Sequence, residues 1–315
     1  MSRYWLAAAC ALLVARPCAA ASFRVTSTLD AGEGTLRAAI IAANRSPGSS
    51  IRIALDADAP IVVDRALPSL EAAGTRLDGG GATLREGRGC ERPGNRKGCD
   101  GLVVAGPGIV VRNLRVAGFT FDGVAVRGGT AGDVRIEDLQ AIDNLDDGIG
   151  VSEGAGPVTV ERCLLMGNGF RTKGKGLLVF HDSTATLRDS VVVANRDGIT
   201  VSDASNATLE RVIVAGNYDK GVGVSGATLT ARVLQVLANG HHTEDTGAAV
   251  AAPNADGVRV GLAGKAELSD SRVAGSGDTG VVVLDTSTVT LRACSVERNR
   301  GRDLAVAPTA RLRKR

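Results

Sequence analysis

The sequence predicts an all-β solenoid, and three observations carry that prediction. First, the 315 residues are 44% hydrophobic but only 3% aromatic, with 41 glycines. Such a chain lacks the bulky rings of an ordinary globular core and suits stacked short strands. Second, eight segments align on one position: IVVRNLRVAGF (109), VRIEDLQAIDN (134), VTVERCLLMGN (158), ATLRDSVVVAN (185), ATLERVIVAGN (207), LTARVLQVLAN (229), AELSDSRVAGS (266) and VTLRACSVERN (289). Their first, third, sixth and eighth residues are apolar or small almost throughout, which reads as two short strands joined by a bend. Third, another strand follows each aligned position, as GVAV (123), GIGV (148), GLLV (176), GITV (198), GVGV (221), GAAV (247) and GVVV (280). Three strands per unit of roughly 22 to 28 residues define a repeat too thin to bury its own apolar face, so units must stack.

Stacking places like residues over like. The last aligned position is Asn144, Asn168, Asn195, Asn217, Asn239 and Asn299 in six of the eight segments. Stacked amides hydrogen-bond to one another while stabilising a turn, so this ladder marks a corner. The glycine that follows is expected to relieve the strain of the turn. Cys163 and Cys294 share a repeat position five coils apart, about 24 Å at sheet spacing. They are therefore expected as inward free thiols.

The remaining segments are read from composition. Residues 1–21 have the form of an export signal: Arg3, an apolar run from Trp5 to Val14, and Ala19-Ala20-Ala21 before Ser22. The run is too short to span a membrane, and the residues before Cys18 fit a lipoprotein site poorly. Export permits disulfides, and Cys90 and Cys99 bracket the polar loop CERPGNRKGC; a metal site would want more ligands nearby. The net charge of +3 is mixed along the chain and gives no nucleic-acid footprint. The basic end, 311–315, reads as a disordered tail, or else as a weak anchor to an anionic surface.

The repeat over roughly 76–310 resembles the right-handed parallel β-helix proteins of the pectate-lyase-like superfamily. The resemblance implies a single-stranded right-handed parallel β-helix of about nine to ten coils. Residues 22–75 form the N-terminal cap in this reading. VTSTLDAGEGTLRAAIIAAN (25–44) is similar to the capping region of bacterial surface β-helix proteins. Leu36, Ala39, Ile40 and Ala43 make one stripe on a short capping helix, and LDGGGATL (77–84) opens the first coil.

Function is sought where the repeat departs from its consensus, because insertions emerge as loops on one face. NGFRTKGKG (168–176) and NGHHTEDTG (239–247) lengthen the same corner three coils apart. Three classes of function follow. A lyase or epimerase on an acidic polysaccharide needs a base and a cation beside the uronate carboxylate. Arg171, Lys173, Lys175, Lys220 and His241 are the candidates for those roles. Phe121, Phe170, Tyr218, Asp197 and Asp219 would bind substrate. Asp122, Asp146 and Asp147 could hold Ca²⁺, the only cofactor the residues point to. The same acids suggest a polygalacturonase-like hydrolase, but the Gly-His-Gly and Arg-x-Lys motifs of that family are not in place. The third class is a non-catalytic secreted or surface solenoid, whose charged turns are a solvated face. His241-His242 reads more simply as a polar loop tip, and His181 as a turn residue. The partner implied is an anionic polysaccharide, with no nucleic acid and no membrane span.

Overall fold

The computed structural model describes residues 20–55, 60–92, 96–128, 131–170, 174–243, 249–251 and 255–315. Alternation of apolar and polar residues sets each strand's inner face. In Thr184–Arg188 the side chains of Ala185 and Leu187 are buried, while Thr184 is exposed and Thr186 and Arg188 are partly exposed. A two-residue bend at Asp189-Ser190 leads to Val191–Val193, and the asparagine corner leads on to Asp197–Ser202. The next coil then repeats the path with Asn206–Glu210 lying parallel to Thr184–Arg188.

The result is a right-handed parallel β-solenoid of about 11 turns. Its three sheets contain 12, 10 and 9 strands. The coil count exceeds the nine to ten expected because Ser22–Val25 and Ser50–Ile53 already stand in the first sheet. At the other end Arg311–Lys314 extends the same sheet beyond Thr288–Arg292. The basic terminus is therefore a strand rather than a tail. Its backbone pairs with the preceding coil, and Leu312 alternates inward while Arg311, Arg313 and Lys314 face solvent.

Helix α1, Leu36–Ala43, is the one helix among the described residues. Thr35 caps it by accepting from the Ala38 N–H at 3.2 Å. Leu36, Ala39, Ile40 and Ala43 are buried against Ser22–Val25 and Ser50–Ile53, which closes the first end of the stack. Cys90 and Cys99 are joined in a disulfide with Cα atoms 5.7 Å apart. Cys163 and Cys294 are both free. Burial pushes the Cys163 thiol up to about 12.

Two local expectations are corrected. GAAV (247) is not a third-sheet strand: Ala249–Ala251 pairs antiparallel with His241–Thr243 in a hairpin. The third-sheet strand of that coil is Val258–Gly261. Two apolar runs compete within one coil there, and alternation alone does not separate them. Nor does the glycine opening the third-sheet strand carry the strained backbone, although Gly169 and Gly240, directly after Asn168 and Asn239, are left-handed as expected. The recurrent left-handed residue is the one before the asparagine, such as Gly167, Ala194, Gly216 or Ala238. The following glycine is required by close approach: a Cβ on Gly198 would lie 2.3 Å from the Gly221 carbonyl oxygen and 2.9 Å from the Asn217 amide nitrogen.

Candidate functional site

The corner between the second and third sheets is built on the asparagine ladder. The Asn144 amide donates to Asn168 Oδ1 at 2.9 Å, Asn168 to Asn195 at 2.8 Å, Asn195 to Asn217 at 3.1 Å, and Asn217 to Asn239 at 2.8 Å. Each of these oxygens also accepts the backbone N–H of the preceding asparagine, and each amide donates to an inner carbonyl, as Asn195 does to Leu165 at 2.9 Å. The fully buried Phe119 ends the run on one side and Ser276 on the other. Asn299 stands apart and bonds to Asp303 and the Ser276 N–H.

Next to this ladder, the residue before each corner glycine forms a second row: Asp100, Asp122, Asp147, Lys175, Asp197, Lys220, Asp256 and Thr279. The rows stack because each glycine N–H donates to the carbonyl of this position one coil on, as Gly123 does to Asp147 and Gly198 to Lys220. The first carboxylates form a staircase. Asp100 accepts the N–H of Asp122 at 3.2 Å, Asp122 that of Asp147 at 3.2 Å, and Asp147 that of Lys175 at 2.6 Å.

Asp100 is neutralised by Arg127 at 3.0 Å. Asp122 instead meets other acids. Oxygens of Asp122, Asp146 and Asp147 all lie within 4.8 Å of one another. Burial, then repulsion from Asp147, Asp100 and Asp146, drives the Asp122 carboxyl well above the usual carboxylate range. Burial likewise raises Asp147 to about 7, against the opposing pull of Lys175. Gly150 makes room for the cluster, since a Cβ there would lie 2.8 Å from Asp122 Oδ2. Three hard oxygen donors, with no cation paired to Asp122 among the described residues, match the ligand chemistry of Ca²⁺.

Two coils further on, charge is matched within the row. Lys220 Nζ pairs with Asp197 at 2.6 Å, and Arg196 pairs with Asp219 at 2.9 Å. Arg196 also lies over the Tyr218 ring, 5.0 Å from its centre. Phe170, 51% exposed, meets Tyr218 edge-on with ring centres 6.3 Å apart. Asp197 Oδ1, Asp219 Oδ1 and Thr200 Oγ1 are shielded from solvent without a hydrogen-bond partner among the described residues.

The structure thus gathers Asp122, Asp146 and Asp147 beside Lys175, and Phe170 beside Tyr218, Asp219, Asp197 and Lys220. Phe121, half-buried, lies immediately before Asp122 on the same corner. Arg171 and Lys173 lie outside the described residues, and His241 opens the hairpin strand. Sequence reasoning missed Asp100, Arg127, Thr200 and the role of Arg196. The Asp-Gly pair at 100–101 carries the same signal as 122–123 and could have placed Asp100 in the row.

The comparisons agree with this architecture. A family model described as a right-handed β-helix region matches residues 94–235. Among solved structures, pectate lyase Pel9A superposes with a TM-score of 0.55 at 13% identity, covering 93% of this chain and 79% of its own. Alginate lyase from Paenibacillus sp. str. FPU-7 gives 0.54 at 14% identity, with 93% and 98% covered. The periplasmic alginate epimerase AlgG gives 0.52 at 10% identity, with 87% and 78% covered. No curated protein matches the sequence. The chain is a right-handed parallel β-helix, the fold it shares with these solved structures. No helix among the described residues is long and apolar enough to cross a membrane.

Proposed function

We propose that the protein is exported and acts on an acidic polysaccharide at the corner between its second and third sheets, as a lyase or epimerase. The observation that carries this reading is the row Asp122, Asp146–Asp147 and Lys175, brought together on three consecutive coils. Asp122, Asp146 and Asp147 would hold Ca²⁺, which when bound would neutralise a uronate carboxylate and acidify the neighbouring C–H. Lys175 is the nearest base candidate, on the coil after Asp147, for taking the proton beside the carboxylate. Lys220, tied to Asp197, and Arg196, tied to Asp219, orient sugar hydroxyls and carboxylates rather than move protons. Phe170 and Tyr218 offer ring faces and edges to the sugar.

In an elimination the proton leaves C5, the C4–O bond breaks and a double bond forms. In an epimerisation the proton returns from the opposite face. The carboxylate oxygens, within 4.8 Å of one another, converge more closely than the roughly 6.5–9.5 Å between the groups of an inverting glycosidase, which speaks against an inverting hydrolase. The two matched ion pairs favour one other reading, a non-catalytic glycan-binding solenoid. A panel of alginate, pectate and glycosaminoglycans, with and without Ca²⁺, separates the possibilities. A lyase yields unsaturated, ultraviolet-absorbing ends, and an epimerase exchanges solvent deuterium into the polymer. Neither signal on any substrate would leave binding alone.

A further inference from the structure

On a different face, the outer surface of the first sheet carries a groove of about 620 Å³ across its N-terminal strands. Ser22, Ser50, Arg52, Arg76, Val110 and Arg135 are among its lining residues. Strand spacing makes the five strands from Ser22–Val25 to Ala131–Glu137 span about 19 Å. That is room for a short stretch of polymer lying along the solenoid axis.

The charges in this groove depart from the rest of the sheet. Along one outward row, Glu161, Arg188, Glu210 and Arg232 alternate in sign. Asp78 pairs with Arg112 at 2.9 Å, and Arg135 with Asp133 at 2.9 Å. Glu137 and Glu161 do face each other, but Arg162 lies within ion-pair reach of both. At the start of the same row Arg24 faces Arg52 directly in register. On the next strand Asp78 faces Arg52, and Arg76 stands opposite Ser50 in the adjoining row. All three arginines are exposed, and none has a side-chain partner among the described residues. Like charges opposed across strands are unfavourable, so the Arg24–Arg52 juxtaposition is not explained by the sheet itself, and the acid facing Arg52, Asp78, is already held by Arg112.

We propose that Arg24, Arg52 and Arg76 form a second binding site, for the carboxylate or sulfate groups of an anionic polysaccharide lying along the first sheet. Guanidinium forks bind such groups in paired hydrogen bonds, and Ser22 and Ser50 add hydroxyls beside them. No aromatic lines the groove, so it lacks the stacking platform that single-stranded nucleic acid uses. The inference shares with the corner reading an acidic polysaccharide as partner, but it requires no catalysis. Such a site would hold a long polymer on the protein while the corner works on another stretch of it.

Affinity electrophoresis tests the site, with alginate, polygalacturonate or heparin in the gel and a neutral β-glucan as control. Wild type is retarded by the anionic polymers, and added salt weakens the effect. The pair Arg52→Glu and Arg76→Glu weakens binding at least about tenfold with an unchanged melting temperature. Arg52→Lys with Arg76→Lys lies between. A Phe170→Ala and Tyr218→Ala protein keeps the groove's share of binding, so failure of the corner reading and failure of this one are distinguishable. Charge-reversed protein binding every anionic polymer as tightly as wild type would overturn the site, as would equal retardation by single-stranded DNA.

Discussion

Two neighbouring positions of each coil make the most instructive contrast in the molecule. At one, five consecutive coils place the same residue, and Asn144 to Asn239 satisfy one another in an unbroken chain. At the other, the residue changes from coil to coil, from Asp to Lys and back, with buried Asp147 and half-buried Asp122 crowded beside Asp146 at one end. Both positions are equally well placed by the backbone. Uniformity marks the position that holds the stack together. Variation, with charge left uncompensated, marks the position open to a ligand.

Replacing a ladder residue should have the largest effect. Asn195→Ala removes the acceptor for the Asn168 N–H and amide, and the donor to Leu165. Several buried polar groups lose partners at once, so a loss of roughly 3 kcal/mol or more is expected in urea unfolding. Gly198→Ala should cost about 2–3 kcal/mol by the same measurement, because its Cβ meets the Gly221 carbonyl and Val214.

The variable row should answer to pH and calcium instead. With Asp147 raised to about 7 and its unfolded value near 4, its contribution is fully present at low pH. That contribution is lost as pH rises through about 7, so metal-free stability falls by about 4 kcal/mol between about pH 4 and pH 8. Asp147→Asn flattens that fall in pH-dependent melts. Ca²⁺ should restore stability at the alkaline end, where Asp147 has lost its proton. The smallest effect is chemical: half-buried Cys294 should react with a thiol reagent in the folded protein, while Cys163, raised to about 12, reacts only on unfolding.

The repeat made the coil legible in the sequence because its inward positions and its asparagine recur at each turn. The stacked order of Asp122, Asp147, Lys175 and Asp197 followed from the same alignment. Pairing within the row was not legible. Nothing in the spacing says that Lys220 reaches Asp197, or that Arg196 lies over Tyr218, because side-chain rotamers decide both. The hairpin at His241–Thr243 and Ala249–Ala251 was hidden by a second apolar run in the same coil. The groove around Arg52 and Arg76 was hidden because the first strands precede the recognisable repeat, so their register with later coils could not be read.

Calorimetric titration with Ca²⁺ near pH 8, above the raised Asp147 value of about 7, tests the account most directly. One saturable site in wild type that vanishes in Asp122→Asn, with the fold intact, is the outcome expected if successive turns bring these acids to one point. Absence of binding in wild type, or an undiminished site in the variant, would contradict it.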